Sequence, residues 1–518
     1  MFLVALVGLS LAATRGTAAA TCHSSCTQQL AECKRTCPGG GQGRRDCRAA
    51  CTERSTCTAP GARIRALAYV VTECTADPQG RSSAKQKLVV RRGNCDPVPV
   101  METTPSTPAP DPLGICRLFG EARNGTYSIV AAVFQRLAVL PDGSGVIFEV
   151  TKQFSVYPQF TPEPPQGEGI FFARADGSGL RRLGPASRFP SFAVVKDVNS
   201  PIGLGFPPTQ LVFGVSPNGR SIALIDLGPD TAGNEAPEIF LLDLRSGRRT
   251  QLTKLSRVAA GGDLRFPSFL DSRTIGFYSG FSASNGTNAP LKAYLVKTDG
   301  TGLHEVIGTP TAVPGARVVP QFGVTGARQQ ILLVTFPDER PVNPEFGSGV
   351  TELFLSNGKN LQQLTGFGRG DTGVALSSFI ERGRVFFIGS PNPRPGENPA
   401  GICQVFSIDT LGGDLRQVTH LPSDGRLPNT GCFNGGPAVC TIDRELGVVP
   451  DKVTGTMLFG SSCDPVGDNP FGDEIFAMRP DGSGLRQLTA APGLTVDPDG
   501  TVRVELPGPF AYARRGPG

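Results

Sequence analysis

Short apolar runs, each broken by a tight polar turn, dominate the chain from about residue 137 onward. Near the end, EIFAMRPDGSGLRQLT (474–489) reads as strand, turn, strand. Its run 475–478 is apolar at successive positions, as in a strand covered on both faces. Pro480-Asp481-Gly482-Ser483-Gly484 supplies residues that accept positive φ, so the chain can reverse there. The unit recurs as IFFARADGSGLRRL from Ile170, IFLLDLRSGRRTQLT from Ile239, AYLVKTDGTGLHEV from Ala293, LFLSNGKNLQQLT from Leu353 and VFSIDTLGGDLRQVT from Val405. The copies lie roughly 60 residues apart, an internal repeat. A second strand–turn–strand precedes a copy, as in VSPNGRSIALI from Val215, FLDSRTIGFYS from Phe269 and FIERGRVFFIG from Phe379. Each repeat is therefore four short antiparallel strands, A to D. Such a sheet cannot bury both faces alone. Neighbours in a ring can do it for one another, which predicts an all-β fold, a β-propeller of four-stranded antiparallel blades.

The "PDG" or "PNG" before strand B, together with "DGSGLRQLT" after strand C, resembles the TolB-like propeller family, relatives of the WD-type repeats. The likeness covers about 139–489. It implies six blades, an envelope location and protein binding. TolB itself carries an α/β domain before its propeller and works with the peptidoglycan-associated lipoprotein. This chain has a Cys-rich segment there instead, so only envelope location and protein binding carry over. Strand-like sequence outside the six repeats leaves a seven-bladed ring open. The tail LTVDPDGTVRVEL (494–506) reads as strands A and B, and ICRLFGEARNGTYSIV (115–130) as C and D. Joined, they would form a composite seventh blade.

The expected order is a signal peptide at 1–20, a Cys-rich module at 21–95, a Pro/Thr-rich linker at 96–112 and the propeller at 113–510. An apolar run, 2–13, followed by Ala18-Ala19-Ala20 reads as an export signal cleaved before Thr21. No basic residue precedes that run. Cys22 leaves a lipid anchor as the less favoured variant. No later stretch is long enough to span a bilayer, so the mature protein is expected in the periplasm or secreted. All 14 Cys follow the cleavage point, which reads as disulfides in an oxidising compartment. Cys22, Cys26, Cys33 and Cys37 share one helical stripe, and Cys47 and Cys51 repeat the four-residue spacing after a breaker. A small helical hairpin would join Cys33 to Cys51 and Cys37 to Cys47, resembling the twin CX3C hairpins; a zinc site would favour tighter spacing. Residues 63–95 add a small hairpin with Cys74 and Cys95. DPVPVMETTPSTPAPDP (96–112) is expected to be extended and unpacked. Farther on, Cys432 is expected to pair with Cys440, and Cys403 with Cys463.

Because strands alternate in direction, A–B and C–D turns leave one face of a ring, and B–C loops and D–A connections the other. The turns are tight, whereas the B–C loops are long: 151–169, 226–238, 279–292, 336–350, 389–401 and 461–474. Long loops on a rigid frame are where binding usually lives. These six hold 14 Asp and Glu against 4 Lys and Arg. Asp226, Asp230, Glu235, Glu238, Asp464, Asp468, Asp473 and Glu474 are the candidate binding residues. DPVGDNPFGDE offers Asp464, Asp468 and Asp473 to a calcium ion, without EF-hand spacing. The bland reading is a solvated acidic surface.

Net charge is only +5, which gives no electrostatic case for nucleic acid. The three His (His23, His304, His420) fall at repeat or helix positions rather than in a cluster, while propeller lyases related to TolB use several as metal ligands. No G-x-S-x-G elbow is present. The expectation is a non-enzymatic exported scaffold binding a protein partner, with no cofactor beyond calcium. The alternative is a carbohydrate-active hydrolase or lyase with carboxylates in the channel.

Overall fold

The computed structural model describes residues 65–92, 96–111, 133–152, 162–188, 214–255, 263–280, 292–307, 317–321, 330–337, 349–356, 361–367, 374–381, 383–394, 396–399, 401–422, 449–451, 456–467 and 474–512, with Lys34, Arg35, Cys37, Gln42, Arg44, Arg45, Cys47, Arg48, Cys116, Arg117, Cys432 and Ile442. The signal segment and most of the Cys-rich helical stretch lie outside these residues.

Two strands near the start form a long hairpin, β1 (Leu67–Ala76) and β2 (Arg81–Arg91), followed by β3 (Val98–Glu102) and β4 (Ala109–Pro110). Six four-stranded antiparallel sheets follow in chain order. Sheet 1 is β5 (Phe134–Val139), β6 (Gly145–Val150), β7 (Gly169–Arg174) and β8 (Arg181–Gly184). Sheet 2 is β9 (Gly214–Val215), β10 (Ser221–Pro229), β11 (Glu235–Asp243) and β12 (Arg249–Gln251). Sheet 3 is β13 (Asp263–Phe269), β14 (Thr274–Gly280), β15 (Lys292–Lys297) and β16 (His304–Ile307). Sheet 4 is β17 (Arg317–Gln321), β18 (Gln330–Pro337), β19 (Gly349–Ser356) and β20 (Leu361–Gln363). Sheet 5 is β21 (Val374–Glu381), β22 (Arg384–Gly389), β23 (Gln404–Asp409) and β24 (Arg416–Gln417). Sheet 6 is β25 (Val449–Asp451), β26 (Thr456–Ser461), β27 (Glu474–Met478) and β28 (Arg486–Gln487). A last hairpin, β29 (Gly493–Val496) and β30 (Val502–Tyr512), pairs with β1, giving a further sheet ordered β29-β30-β1-β2-β3, with β4 also on β2. The described chain is nearly all β, an architecture compatible with a β-propeller.

The middle strands are buried on both faces, as their unbroken apolar runs require. Every residue of β6, β26 and β27 is buried. Apolar clusters join sheet 1 to sheet 2, sheet 2 to sheet 3, sheet 4 to sheet 5 and sheet 5 to sheet 6. β1 has two neighbours. Ala68 and Val70 pack with Leu137, Phe148 and Phe171 of sheet 1, while Leu67, Tyr69 and Val71 pack with Leu458, Ile475 and Ala477 of sheet 6. The β1 sheet thus lies between the first and last four-stranded sheets.

The C–D turn glycines sit where sheets meet. Gly482 has φ of 81°, and a Cβ there would collide with the carbonyl oxygen of Val418 in the preceding sheet. Gly247, at φ 72°, would place one 2.5 Å from the Leu183 oxygen. Only a residue without a side chain combines this conformation with so close an approach.

Three expectations are corrected. The tail hairpin pairs through β30 with β1, a partner the composite-blade expectation did not include; of 115–130 only Cys116 and Arg117 are described. β1 suits that place because it is apolar on both faces. Residues 65–92, expected in the Cys-rich module, are therefore part of this sheet. Nor is 96–112 an unpacked linker: β3 and β4 zip along β2, and the stretch between them holds to it as well. Thr103 and Ser106 donate their amides to the Gln86 and Ala84 carbonyls at 2.9 and 2.8 Å. Their hydroxyls accept the Gln86 and Ala84 amides, both at 2.9 Å. Proline cannot donate to a ladder and is confined to edges, and this proline-rich strand is an edge. Third, Cys403 bonds to Cys432, with Cα atoms 4.6 Å apart, rather than to Cys463. Cys432 is therefore not bonded to Cys440, which lies outside the described residues. Cys463 is itself in a disulfide. Elsewhere Cys37 bonds to Cys47, and Cys74 bonds to Cys116 rather than to Cys95. Cys33, Cys51 and Cys95 lie outside the described residues. These cross-links fit an oxidising compartment. Among the described residues, no helix is long and apolar enough to cross a membrane.

Candidate functional site: the long-loop face

A polar residue in the first half of the C strand stands at this face, the first residue of β23 and β27 and the fourth of β11 and β19, and in sheets 2, 4, 5 and 6 it does the same thing. Glu238 Oε2 accepts the Thr253 hydroxyl at 2.5 Å, its Oε1 accepts the Leu255 amide at 2.7 Å, and Thr253 Oγ1 accepts the Ile239 amide. Glu352 repeats this with Thr365 and the Phe367 amide, and Glu474 with Thr489 and the Ala491 amide. In sheet 5 the residue is Gln404, whose Oε1 accepts both the Thr419 hydroxyl and the Leu421 amide. Each clamp ties the start of strand C to the point where the chain leaves strand D. All four acids or amides are buried. Burial pushes Glu238 and Glu474 up to about 7, against the lowering effect of their hydrogen bonds. Sheet 1 departs from the rule, with Gly169 and Gly184 at the matching places; a Cβ on Gly169 would meet Arg182 Nε at 2.5 Å.

Between sheets 1 and 2 lies a second polar seam. Arg136 and Glu149, each 1% exposed, form a buried ion pair at 2.5 Å. Glu149 also accepts the Ser187 amide, and Ser187 donates its hydroxyl to the Ile225 carbonyl. Asp226 accepts the Arg188 amide at 2.8 Å and pairs with Arg249, which also reaches the Pro185 carbonyl.

The candidate residues thus separate. Asp226, Glu238 and Glu474 are buried struts. Asp230 is also buried, and its Oδ1 accepts the Ala232 and Asn234 amides at 2.8 Å, shaping its own loop. Glu235 is exposed and pairs with Arg188 at 2.5 Å. Asp464 is half-buried; Asp468 and Asp473 lie outside the described residues. The calcium reading falls largely on those two. Among the described residues, no three metal-ligating side chains converge. His304 and His420 are exposed and far apart in the chain, with His304 Nδ1 2.6 Å from the Gly302 carbonyl oxygen.

Sequence reasoning missed the loop frames. Asn398 donates to the Pro391 and Ile402 carbonyls and accepts the Ile402 amide, setting the shape of 389–401. Glu168 accepts the Thr151 hydroxyl and the Lys152 amide at the base of 151–169. Among the described residues, those exposed on this face include mixed charges: Glu163, Arg188, Glu235 and Arg394.

No protein-family model matches the chain, and no curated protein matches its sequence. Solved structures similar to it include a prolyl endopeptidase (TM-score 0.43, 12% identity, 92% of this chain and 55% of that one). Others are an oligogalacturonate lyase from Vibrio parahaemolyticus (0.43, 8%, 78% and 90%) and an acylaminoacyl peptidase from Pyrococcus horikoshii (0.45, 10%, 84% and 52%). The chain spans about half the length of both peptidases. At these values the similarity carries no argument about activity, and the fold rests on strand order and packing.

Proposed function

We propose that the protein is an exported binding scaffold: a TolB-like propeller whose ring is closed as a seventh blade by β29 and β30 on β1, and whose long-loop face takes a protein partner. The Cys-rich helical hairpin precedes it as a disulfide-stapled appendage. The observation that carries the reading is the use of carboxylates on that face. Asp226, Asp230, Glu238, Glu352 and Glu474 are spent on the frame, so the loops are held from below and present mixed charge and backbone above. A rigid scaffold with variable loops suits recognition of a folded partner.

A photo-crosslinking residue placed at Glu235 or Arg394, compared with one at Leu411 in a C–D turn, tests this. The first two should trap a discrete envelope or extracellular protein, and the third should not. Capture only from Leu411, or cleavage of a polysaccharide by the purified protein, would overturn the reading.

A further inference from the structure

The seam between sheet 6 and the β1 sheet carries three polar side chains among its apolar ones. Tyr69, on β1, packs with Leu458, Ile475, Ala477 and Leu488 of sheet 6. Val89, its partner on β2, belongs to the same cluster. Arg91 lies two residues farther along β2 and so shares that face. Its guanidinium crosses the seam, where Nη1 donates to the Leu488 carbonyl. Arg486, on β28, stands two residues before Leu488 and reaches the seam from the opposite wall.

Elsewhere an arginine at this place of strand D meets an acceptor. Arg181 in sheet 1 donates to the Leu244 carbonyl of sheet 2 at 2.7 Å, and Arg416 in sheet 5 pairs with Asp414. Gly484 takes the place of Asp414 in sheet 6. Arg416 is exposed, whereas Arg486 is half-buried and faces a second guanidinium. Burial, and after it the like charge of Arg91, holds Arg486 down to about 10. Between them, Tyr69 is 5% exposed, and among the described residues its hydroxyl has no hydrogen-bond partner. A buried hydroxyl left so is costly, and a ligand would relieve it. Of the acids nearby, Glu474 is held by Thr489 and the Ala491 amide, Glu505 pairs with Lys87 at 3.4 Å, and Asp96 bears on Arg91 from an exposed position.

We propose that Arg91, Arg486 and the Tyr69 hydroxyl form an oxyanion site, which takes a phosphate or sulfate group at the junction of sheet 6 and the β1 sheet. A tetrahedral oxyanion offers acceptors on every side. It accepts from a guanidinium on each wall and from the phenol between them, and its charge offsets the repulsion of the two arginines. The site stands apart from the long loops and does not depend on a protein partner there.

Isothermal titration calorimetry of the whole protein at fixed ionic strength, with inorganic phosphate, sulfate, glycerol 3-phosphate and acetate, tests this. Phosphate and sulfate should bind saturably, and acetate about tenfold more weakly. Arg486→Gln should weaken phosphate binding by about tenfold, through loss of a charge-assisted bond, and Tyr69→Phe by about fivefold. Arg416→Gln, at the same place in sheet 5, should bind as the wild type does. Glycerol 3-phosphate binding as tightly as inorganic phosphate assigns the site to a phosphate ester; weaker binding assigns it to the free ion. No saturable binding of phosphate, sulfate or glycerol 3-phosphate would overturn the proposal, as would equal affinity in the wild type, Arg486→Gln and Tyr69→Phe. Should Arg486→Gln fail to fold, Tyr69→Phe, which keeps the ring in its cluster, decides alone.

Discussion

Removing residues 493–518 tests how the sheets are joined. β30 covers the full length of β1, pairing from Leu67 with Tyr512 to Ala76 with Val502. The deletion strips Val504 and Leu506, each 1% exposed, from a cluster with Cys74 and Cys116. Burying such side chains contributes about 1.5–3 kcal/mol each, so these two alone account for about 3–6 kcal/mol. The unpaired edge of β1 adds to the loss. Whole domains are stable by only about 5–15 kcal/mol, so the truncated chain should melt far earlier or not fold at all. The damage should begin locally. Trypsin should cut β2 at Lys85, Lys87 and Arg91, which the intact sheet protects, before it reaches sheet 2. Thermal unfolding by circular dichroism, with timed trypsin digestion and peptide mapping, reads both effects. Leu506→Ala offers a milder version, at about 2–5 kcal/mol. A truncated protein with unchanged melting temperature and an uncut 65–92 would refute the joined-termini account.

Two further perturbations separate local causes. Gly482→Ala should cost more than Gly233→Ala in urea unfolding. Both have positive φ, worth about 1–2 kcal/mol for any L side chain, but only Gly482 meets a neighbouring carbonyl while Gly233 faces open space; equal costs would remove the docking role given to the turn. Thr103→Val and Ser106→Ala each leave a buried amide, that of Gln86 or Ala84, without its acceptor. A cost of about 1–3 kcal/mol is expected for each. No measurable change in unfolding midpoint would mean that water reaches this edge.

Much of the fold was legible because the repeat is written in short unbroken apolar runs with punctuation. Apolar runs such as 475–478, bounded by Asp-Gly turns, marked strands buried on both faces. The turn aspartates act locally: Asp481 and Asp299 each accept an amide and a hydroxyl or amide two residues on, and the hydrogen bonds hold both below the ordinary Asp value. What could not be read was the choice of long-range partners. The tail at 494–506 needed strands to join, and both 67–76 and 115–130 had the right pattern. The decision rests on β1 filling two neighbouring cores at once, a property of the assembled sheets rather than of the segment. The strap at 98–110 misled for another reason. Proline usually signals a chain without ladder bonds, but Thr103 and Ser106 offer hydroxyls where β2 amides would otherwise lack acceptors.

The acidic face shows how a count of charges can mislead. Fourteen carboxylates in the long loops suggested a negative field, yet Asp226, Asp230, Glu238 and Glu474 among them are buried. A signal for this was present. Glu238 and Thr253 are fifteen residues apart, as are Gln404 and Thr419, and Glu474 and Thr489; Glu352 and Thr365 are thirteen apart. A polar pair that recurs in step with the repeat belongs to the repeat, because a ligand site needs different groups from different blades. A Gln replacing Glu at one of these places points the same way: it keeps the hydrogen bonds and discards the charge, so charge is not what the position selects. Residues that break the repeat are better candidates for recognition. Gly169, Arg182 and Arg188 do so in the first two sheets, and Arg394 does so in the Asn398-framed loop. Arg188 and Arg394 are each paired there with a Glu of the same face, Glu235 and Glu397, so the face that the raw count made acidic carries mixed charge at its irregular positions.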